Sequence, residues 1–258
     1  MRDLALHFHE LEILGFTIID DVVTAAEIDV LKTSIRGALI EDAKRFAGRP
    51  GKQDFHIVEL VNAGPQFLKL LDNNIMHQVF SHFLEDSCIL YTYSTTLLPA
   101  DVNVQTQTIH VDTGRLIPGY CHALQMTLAL DDFTADNGAT YYLPGSHHSL
   151  TQPSVETFDK YAVQTIRKAG AALFWNPRCF HKAGINRTEG TRFAISTYAV
   201  RSWMKQRFDY PRMISQEMLE QCSPRLRRFL GVDVRPPANQ DEYYDAVEAR
   251  LSQNQAAG

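Results

Sequence analysis

Between Ser87 and about Arg201 the chain is written in short runs rich in Val, Ile, Thr, Tyr and Phe, each closed by Pro, Gly, Asn or Asp. The runs are Cys88 to Leu98, Val104 to Val111, His122 to Leu130, Ala139 to Leu143, Ala162 to Arg167, Ala171 to Trp175 and Thr191 to Val200. β-Branched and aromatic side chains fit a pleated surface, and the closing residues supply turn geometry. Seven or eight short strands without regular intervening helices predict an antiparallel sandwich or jelly roll, because parallel strands need long crossovers.

The flanks read differently. Gly15 to Asp20 is a short strand candidate, and Thr24-Ala-Ala-Glu27 is a capping box ahead of an apolar period through Ile28, Leu31, Ile35 and Leu39. That helix should start near Thr24 and end before Gly48-Arg-Pro-Gly51, with further helices over Gln66 to Leu71 and Asn73 to Leu84. After Trp203 the pattern is helical again, from Met213 to Gln221 and Tyr243 to Leu251. The expectation is one domain over residues 1–258, mainly β with flanking helices: a helical part over 1–86, a β core over 87–203 and a helical tail over 204–258.

Charge and hydropathy exclude several classes of partner. Twenty-five Lys and Arg against 30 Asp and Glu give a net charge of −5, with no basic block to follow a phosphate backbone, so nucleic acid is not expected. No run approaches 18 uninterrupted apolar residues, and the N-terminus carries Asp, His and Glu where a signal peptide needs an apolar stretch. A cytoplasmic protein without a membrane partner is expected. Cys88, Cys121, Cys179 and Cys222 have neither zinc spacing nor disulfide density and read as reduced, mostly buried thiols.

His110-Val-Asp112 stands at a strand end, where residues two apart share a face, so one imidazole and one carboxylate could reach a common metal. Alone the motif is weak; with ten histidines in the chain, roughly one such triplet arises by chance. His181, after the strand-like Ala171 to Trp175 and before the turn at Gly184, is the leading third ligand. Two imidazoles and a carboxylate suit non-haem iron, and zinc would also accept them. Arg192 opens a β-branched run, where a guanidinium is either an outward surface group or a partner for a carboxylate. Ala194 and Ser196 share its face and are small enough to leave room for a ligand. By the same alternation Gln125 and Thr127 share a face, taken as the inward one.

His110-Val-Asp112, the run Leu128 to Gly138, Leu143-Pro-Gly-Ser-His147, His181-Lys-Ala-Gly-Ile-Asn186 and Arg192 together resemble the phytanoyl-CoA dioxygenase family of Fe(II)- and 2-oxoglutarate-dependent oxygenases. The opening Gly15 to Glu27 is similar to that family's N-terminus, and order and spacing agree over about residues 12 to 203. The resemblance implies a cupin-like double-stranded β-helix, iron(II) held by His110, Asp112 and His181, and the distal carboxylate of 2-oxoglutarate held by Arg192. It also implies use of O2 to hydroxylate or otherwise oxidise a small organic molecule. Desaturation, cyclisation or epimerisation by a family member, or a non-catalytic metal-binding jelly roll, are the alternatives.

Related halogenases carry Gly or Ala where this chain has Asp112, so the carboxylate argues for oxygenation. The family often has an aromatic residue at Thr127 and a hydroxyl at Ala183; here Gln125 and Thr127 are the expected secondary cosubstrate contacts. Tyr93 is either a further phenol to the cosubstrate or a packed core residue. His147 and His148 belong to a loop or supporting role, and His56 carries no assigned chemistry. Gly114 to Cys121, Thr151 to Tyr161 and the tail beyond Trp203 are the segments expected to cover the site.

Overall fold

The structure is a computed structural model and describes residues 3–102, 105–234 and 236–245. Helix α1 (Ala5–Leu14) precedes β1 (Phe16–Ile19). The sequence did not announce α1, which has no capping side chain and buries only Leu11; Gly15, at φ 85°, closes it. Helix α2 (Ala25–Arg45) starts at the expected capping box, with Thr24 Oγ1 accepting from the Glu27 amide and the Glu27 carboxylate accepting from the Thr24 amide. Helix α3 (Pro65–Leu71) and Asn73-capped α4 (Asn74–Leu84) complete the N-terminal layer.

Strands β2 (Ile89–Thr95), β3 (Ala123–Ala129) and β4 (Tyr141–Tyr142) follow. Beyond α5 (Val155–Tyr161) come β5 (Val163–Gln164), β6 (Ala172–Trp175), β7 (His181–Lys182) and β8 (Ala194–Val200). They form two antiparallel sheets, one in the order β1-β6-β3-β8-β2 and one in the order β5-β4-β7. Three short helices follow, α6 (Tyr210–Met213), α7 (Gln216–Glu220) and α8 (Pro224–Phe229), and residues 240–245 at the end of the described chain are also helical.

Several expected elements differ. The run Val104 to Val111 is not a strand. Val104 lies outside the described residues, Gln105–Gln107 is a 3-10 turn, and the segment meets a sheet through a bridge from His110 to His181. Within the expected covering segment Thr151 to Tyr161, residues Val155–Tyr161 form a helix capped by Ser154. Met213 to Gln221 splits between α6 and α7 because Ile214 is extended. Of Tyr243 to Leu251, residues 243–245 are helical and 246–251 lie outside the described residues.

The alternation of β3 divides the molecule. Leu124, Met126 and Leu128 pack into the large core shared with α2, α3 and α4, whereas Gln125 and Thr127 face the smaller sheet. Strand β6 is divided likewise, with Ala172 and Phe174 in the helical core and Leu173 and Trp175 packed with Tyr142. The site therefore lies between the two sheets, with the apolar core behind the larger one. Among the described residues no helix is long and apolar enough to cross a membrane. All four cysteines are free, and burial pushes the Cys88 and Cys179 thiols up to about 12.

Two buried histidines make the fold acid-sensitive. His77 packs edge-on against Phe229, and His147 lies against Gly15, where a Cβ would come within 2.5 Å of its Nδ1. Burial pushes each imidazole down to about 4 from an ordinary 6.5. Between those limits the unfolded chain binds the protons that the folded chain refuses, so stability rises with pH over this window and is lost as pH falls. Unfolding free energies from urea titrations between pH 7 and pH 4 should decline, by up to roughly 1.4 kcal/mol per pH unit per histidine. His77→Leu should flatten that decline; an unchanged slope would show that His77 does not set it.

Candidate active site

His110 and His181 are joined by a narrow antiparallel bridge in which each amide donates to the other's carbonyl at 3.0 Å. Directly opposed residues project to the same face, so the two imidazoles come together with ring centres 4.2 Å apart. Asp112, two residues beyond His110, returns to that face and is held by its amide on the Pro177 carbonyl at 2.8 Å. Its oxygens lie 3.6 Å from His110 Nε2 and 3.7 Å from His181 Nε2. One ligand atom from each of the three lies within 4.8 Å of the others.

The tautomers follow from the hydrogen bonds. His110 Nδ1 is 2.8 Å from the Thr108 carbonyl and His181 Nδ1 is 2.9 Å from the Cys179 carbonyl. A carbonyl only accepts, so both Nδ1 atoms carry the proton and both Nε2 lone pairs are left to face Asp112. Burial lowers the His181 pKa, against the attraction of Asp112, which favours the neutral, ligating form. Its ring is stacked on Tyr142 at 5.1 Å and 12°, a consequence of the Tyr142–His181 register between β4 and β7. This donor set fits a divalent metal: two neutral imidazoles fixed through backbone acceptors, and one carboxylate open to a cavity.

That cavity, of about 410 Å³, contains the triad, Gln125, Thr127 and Arg192. Gln125 Nε2 donates to Asp112 Oδ2, so Gln125 orients a candidate ligand, a more direct link to the metal set than the expected cosubstrate contact. Arg192 lies just before β8, bridged to Leu98, and is 4% exposed. Its guanidinium lies 3.9 Å from the Phe133 ring centre and donates to the carbonyls of Gly138 and Asn137, while Nε has no partner. Burial brings its pKa down to about 10, so it stays a cation at neutral pH. A buried cation whose hydrogen bonds end on backbone carbonyls is suited to receive a carboxylate.

Tyr93 does not reach the cavity. It pairs with Thr197, on the helical face of the sheet, and its fully buried hydroxyl donates to the Phe67 carbonyl at 3.2 Å. Its neighbour Ser94 faces the cavity instead. The phenol that lines the cavity belongs to Tyr142. Gln53, Phe55 and His56 also line it, whereas the described residues of the three segments expected to cover the site do not. The strap 53–60 runs beside edge strand β2, with the Thr95 amide donating to the Ile57 carbonyl and the Leu60 amide to the Tyr93 carbonyl. Lys52 ties the strap to α2 through Asp42 at 2.6 Å. The turn Gly48-Arg-Pro-Gly51 marked a loop here without showing where it folds. His147 and His148 sit elsewhere, their Nε2 atoms near the Glu12 carbonyl.

If Gln125 holds Asp112 in its ligating pose, Gln125→Leu should weaken divalent-metal affinity by about 10- to 100-fold, the usual cost of losing a group that orients a ligand. Calorimetric titration with Co(II), alongside a far-UV spectrum to show an intact fold, measures this. Wild-type affinity would remove Gln125 from the metal site.

The comparisons agree with the geometry. The family model described as phytanoyl-CoA dioxygenase (PhyH) matches residues 12–194. The chain is 27% identical over 251 residues to the uncharacterized protein Rv1501 of Mycobacterium tuberculosis, covering 93% of this chain and 91% of that one. It is also 27% identical to dioxygenase sphC of Aspergillus fumigatus, over 84% of this chain and 64% of that one. Among solved structures, HygX from Streptomyces hygroscopicus, with nickel and 2-oxoglutarate bound, superposes with a TM-score of 0.61 at 16% identity, covering 80% of this chain and 90% of HygX. A family match over most of the chain, joined to a matching fold, establishes that the protein belongs to the phytanoyl-CoA dioxygenase family.

Proposed function

We propose that the protein is an Fe(II)- and 2-oxoglutarate-dependent dioxygenase that hydroxylates a small organic molecule, built on a double-stranded β-helix. The observation that carries this reading is one cavity holding both a three-residue metal set and a buried guanidinium bonded only to backbone carbonyls. A metal-binding barrel without oxygenase chemistry would have no use for Arg192 there. The bound metal, with 2-oxoglutarate as reductant, supplies the activation of O2.

The protein's own part is placement. His110, Asp112 and His181 would hold the iron and leave positions open for other ligands. Arg192 would take the far carboxylate of the cosubstrate, with Thr127 and Ser196 beside it on the cavity wall. Trp175, Leu97 and Leu98 add apolar wall that limits water. His56 is pushed below its ordinary pKa by burial and by Lys52 and Arg207, so at neutral pH it would meet a substrate as a neutral hydrogen-bonding group.

Binding of 2-oxoglutarate to Ni(II)-loaded protein, followed by calorimetry, tests the assignment. His181→Ala should lose the metal. Arg192→Met should keep it but lose about 2 to 5 kcal/mol of cosubstrate binding, or roughly two to four decades in affinity. An unchanged dissociation constant in Arg192→Met would refute its role. Conversion of 2-oxoglutarate to succinate with Fe(II) should rise when the correct substrate is present, which makes it the screen for that substrate.

A further inference from the structure

Arg192 is not the only guanidinium on Phe133. Arg167 lies with its Cζ 3.6 Å from the same ring centre. Two guanidinium carbons can approach one ring this closely only from opposite faces, since on one face they would overlap. The chain builds the arrangement locally: Phe133 and Arg167 exchange backbone hydrogen bonds of 2.7 and 3.0 Å across an antiparallel bridge, and Phe133 packs with Ala194, two residues beyond Arg192. Both side chains are buried, Arg167 being 5% exposed.

Among the described residues, this cluster has more cationic than anionic partners. Arg167 Nη1 donates to the Thr165 carbonyl at 3.0 Å and to its hydroxyl at 3.3 Å, while Nε and Nη2 are buried without partners. The charged and titratable groups acting on Arg167 are Tyr142 and Arg192. Asp131 acts on Arg192, yet that carboxylate is already paired with Lys32 and accepts from the Phe193 amide. Burial brings Arg167 down to about 9, which leaves it charged at neutral pH. The two faces of a phenyl ring attract cations without neutralising them. Lys32, Arg167 and Arg192 thus stand against the single charge of Asp131, and unpaired buried charge is costly. The Tyr142 phenol, which lines the cavity, feels Asp112 of the metal set and then both guanidiniums, so the two cations act at the cavity wall alongside a carboxylate that a bound metal would partner.

We propose that Arg167, without touching the ligand, acts with Arg192 across Phe133 as a specificity-determining residue that selects a 2-oxo dicarboxylate over a 2-oxo monocarboxylate. The inference rests on the cosubstrate reading above and extends it. Direct contact with the far carboxylate belongs to Arg192; Arg167 deepens the potential at that end of the cavity and is itself relieved when a second anionic charge arrives.

The test is calorimetric titration of Ni(II)-loaded protein with 2-oxoglutarate and with 2-oxopentanoate, which has the same chain length without the far carboxylate. In wild type 2-oxoglutarate should bind much more tightly. Arg167→Met should lower the ratio of the two affinities at least tenfold, chiefly by weakening 2-oxoglutarate. Arg167→Gln, which retains a donor for Thr165, should do the same should the Met variant fold poorly, and Arg167→Lys should keep most of the preference. A wild-type ratio in the neutral variants would mark Arg167 as a strut for residues 165–167 and overturn the inference, whatever the melting temperature. A wild type that binds 2-oxoglutarate no better than 2-oxopentanoate would instead overturn the cosubstrate reading, and this inference with it.

Discussion

The pair of hydrogen bonds between His110 and His181 is the constraint on which the site depends. These residues are far apart in the chain, and neither sits in a long strand; β7 is two residues and His110 is joined by an isolated bridge. Antiparallel pairing in register nevertheless puts both side chains on one face, and the two-residue period of extended chain returns Asp112 to it. Carbonyls two residues before each histidine then take up Nδ1, so one short stretch of backbone fixes position, tautomer and direction together. A slip of one residue in that bridge would turn an imidazole away from the cavity.

The larger sheet does the complementary work. One face of β3 is Leu, Met and Leu against helices, and the other is Gln125 and Thr127 toward the cavity. The apolar face anchors the strand, which lets the polar face hold Asp112 without the sheet losing its core. Gly138 and Gly184 permit the close crossing beside this site. Gly138 adopts φ 82°, and a Cβ on Gly184 would come within 2.7 Å of the Ala139 carbonyl. That crossing places the Gly138 carbonyl where Arg192 can donate to it.

That His110, Asp112 and His181 come together with Arg192 in one cavity was expected mainly from the family pattern; extended-chain alternation links only His110 to Asp112, and no short-range rule ties His181 or Arg192 to them. The helix at Thr24 was directly legible, since a capping box is a local feature. Residues whose roles depend on register were harder to read. Tyr93 and Ser94 are adjacent, and only the pairing of β2 with β8, with its shift between Leu90 and Thr92, decides which one faces the cavity. Gln53, Phe55 and His56 carry no local signal, because a strap reaches the site through tertiary anchors such as Lys52 and Asp42. Arg167 closed an expected strand and gave no hint of the guanidinium across Phe133.

The central claim is that His110 Nε2, His181 Nε2 and an Asp112 oxygen converge on one metal beside an anion-binding Arg192. Anomalous-scattering crystallography of the Co(II)-loaded protein with 2-oxoglutarate under argon addresses it most directly. The account predicts a single strong peak bonded to those three atoms, with the far carboxylate of 2-oxoglutarate on Arg192. A peak on other side chains, or a cosubstrate bound away from Arg192, would contradict it.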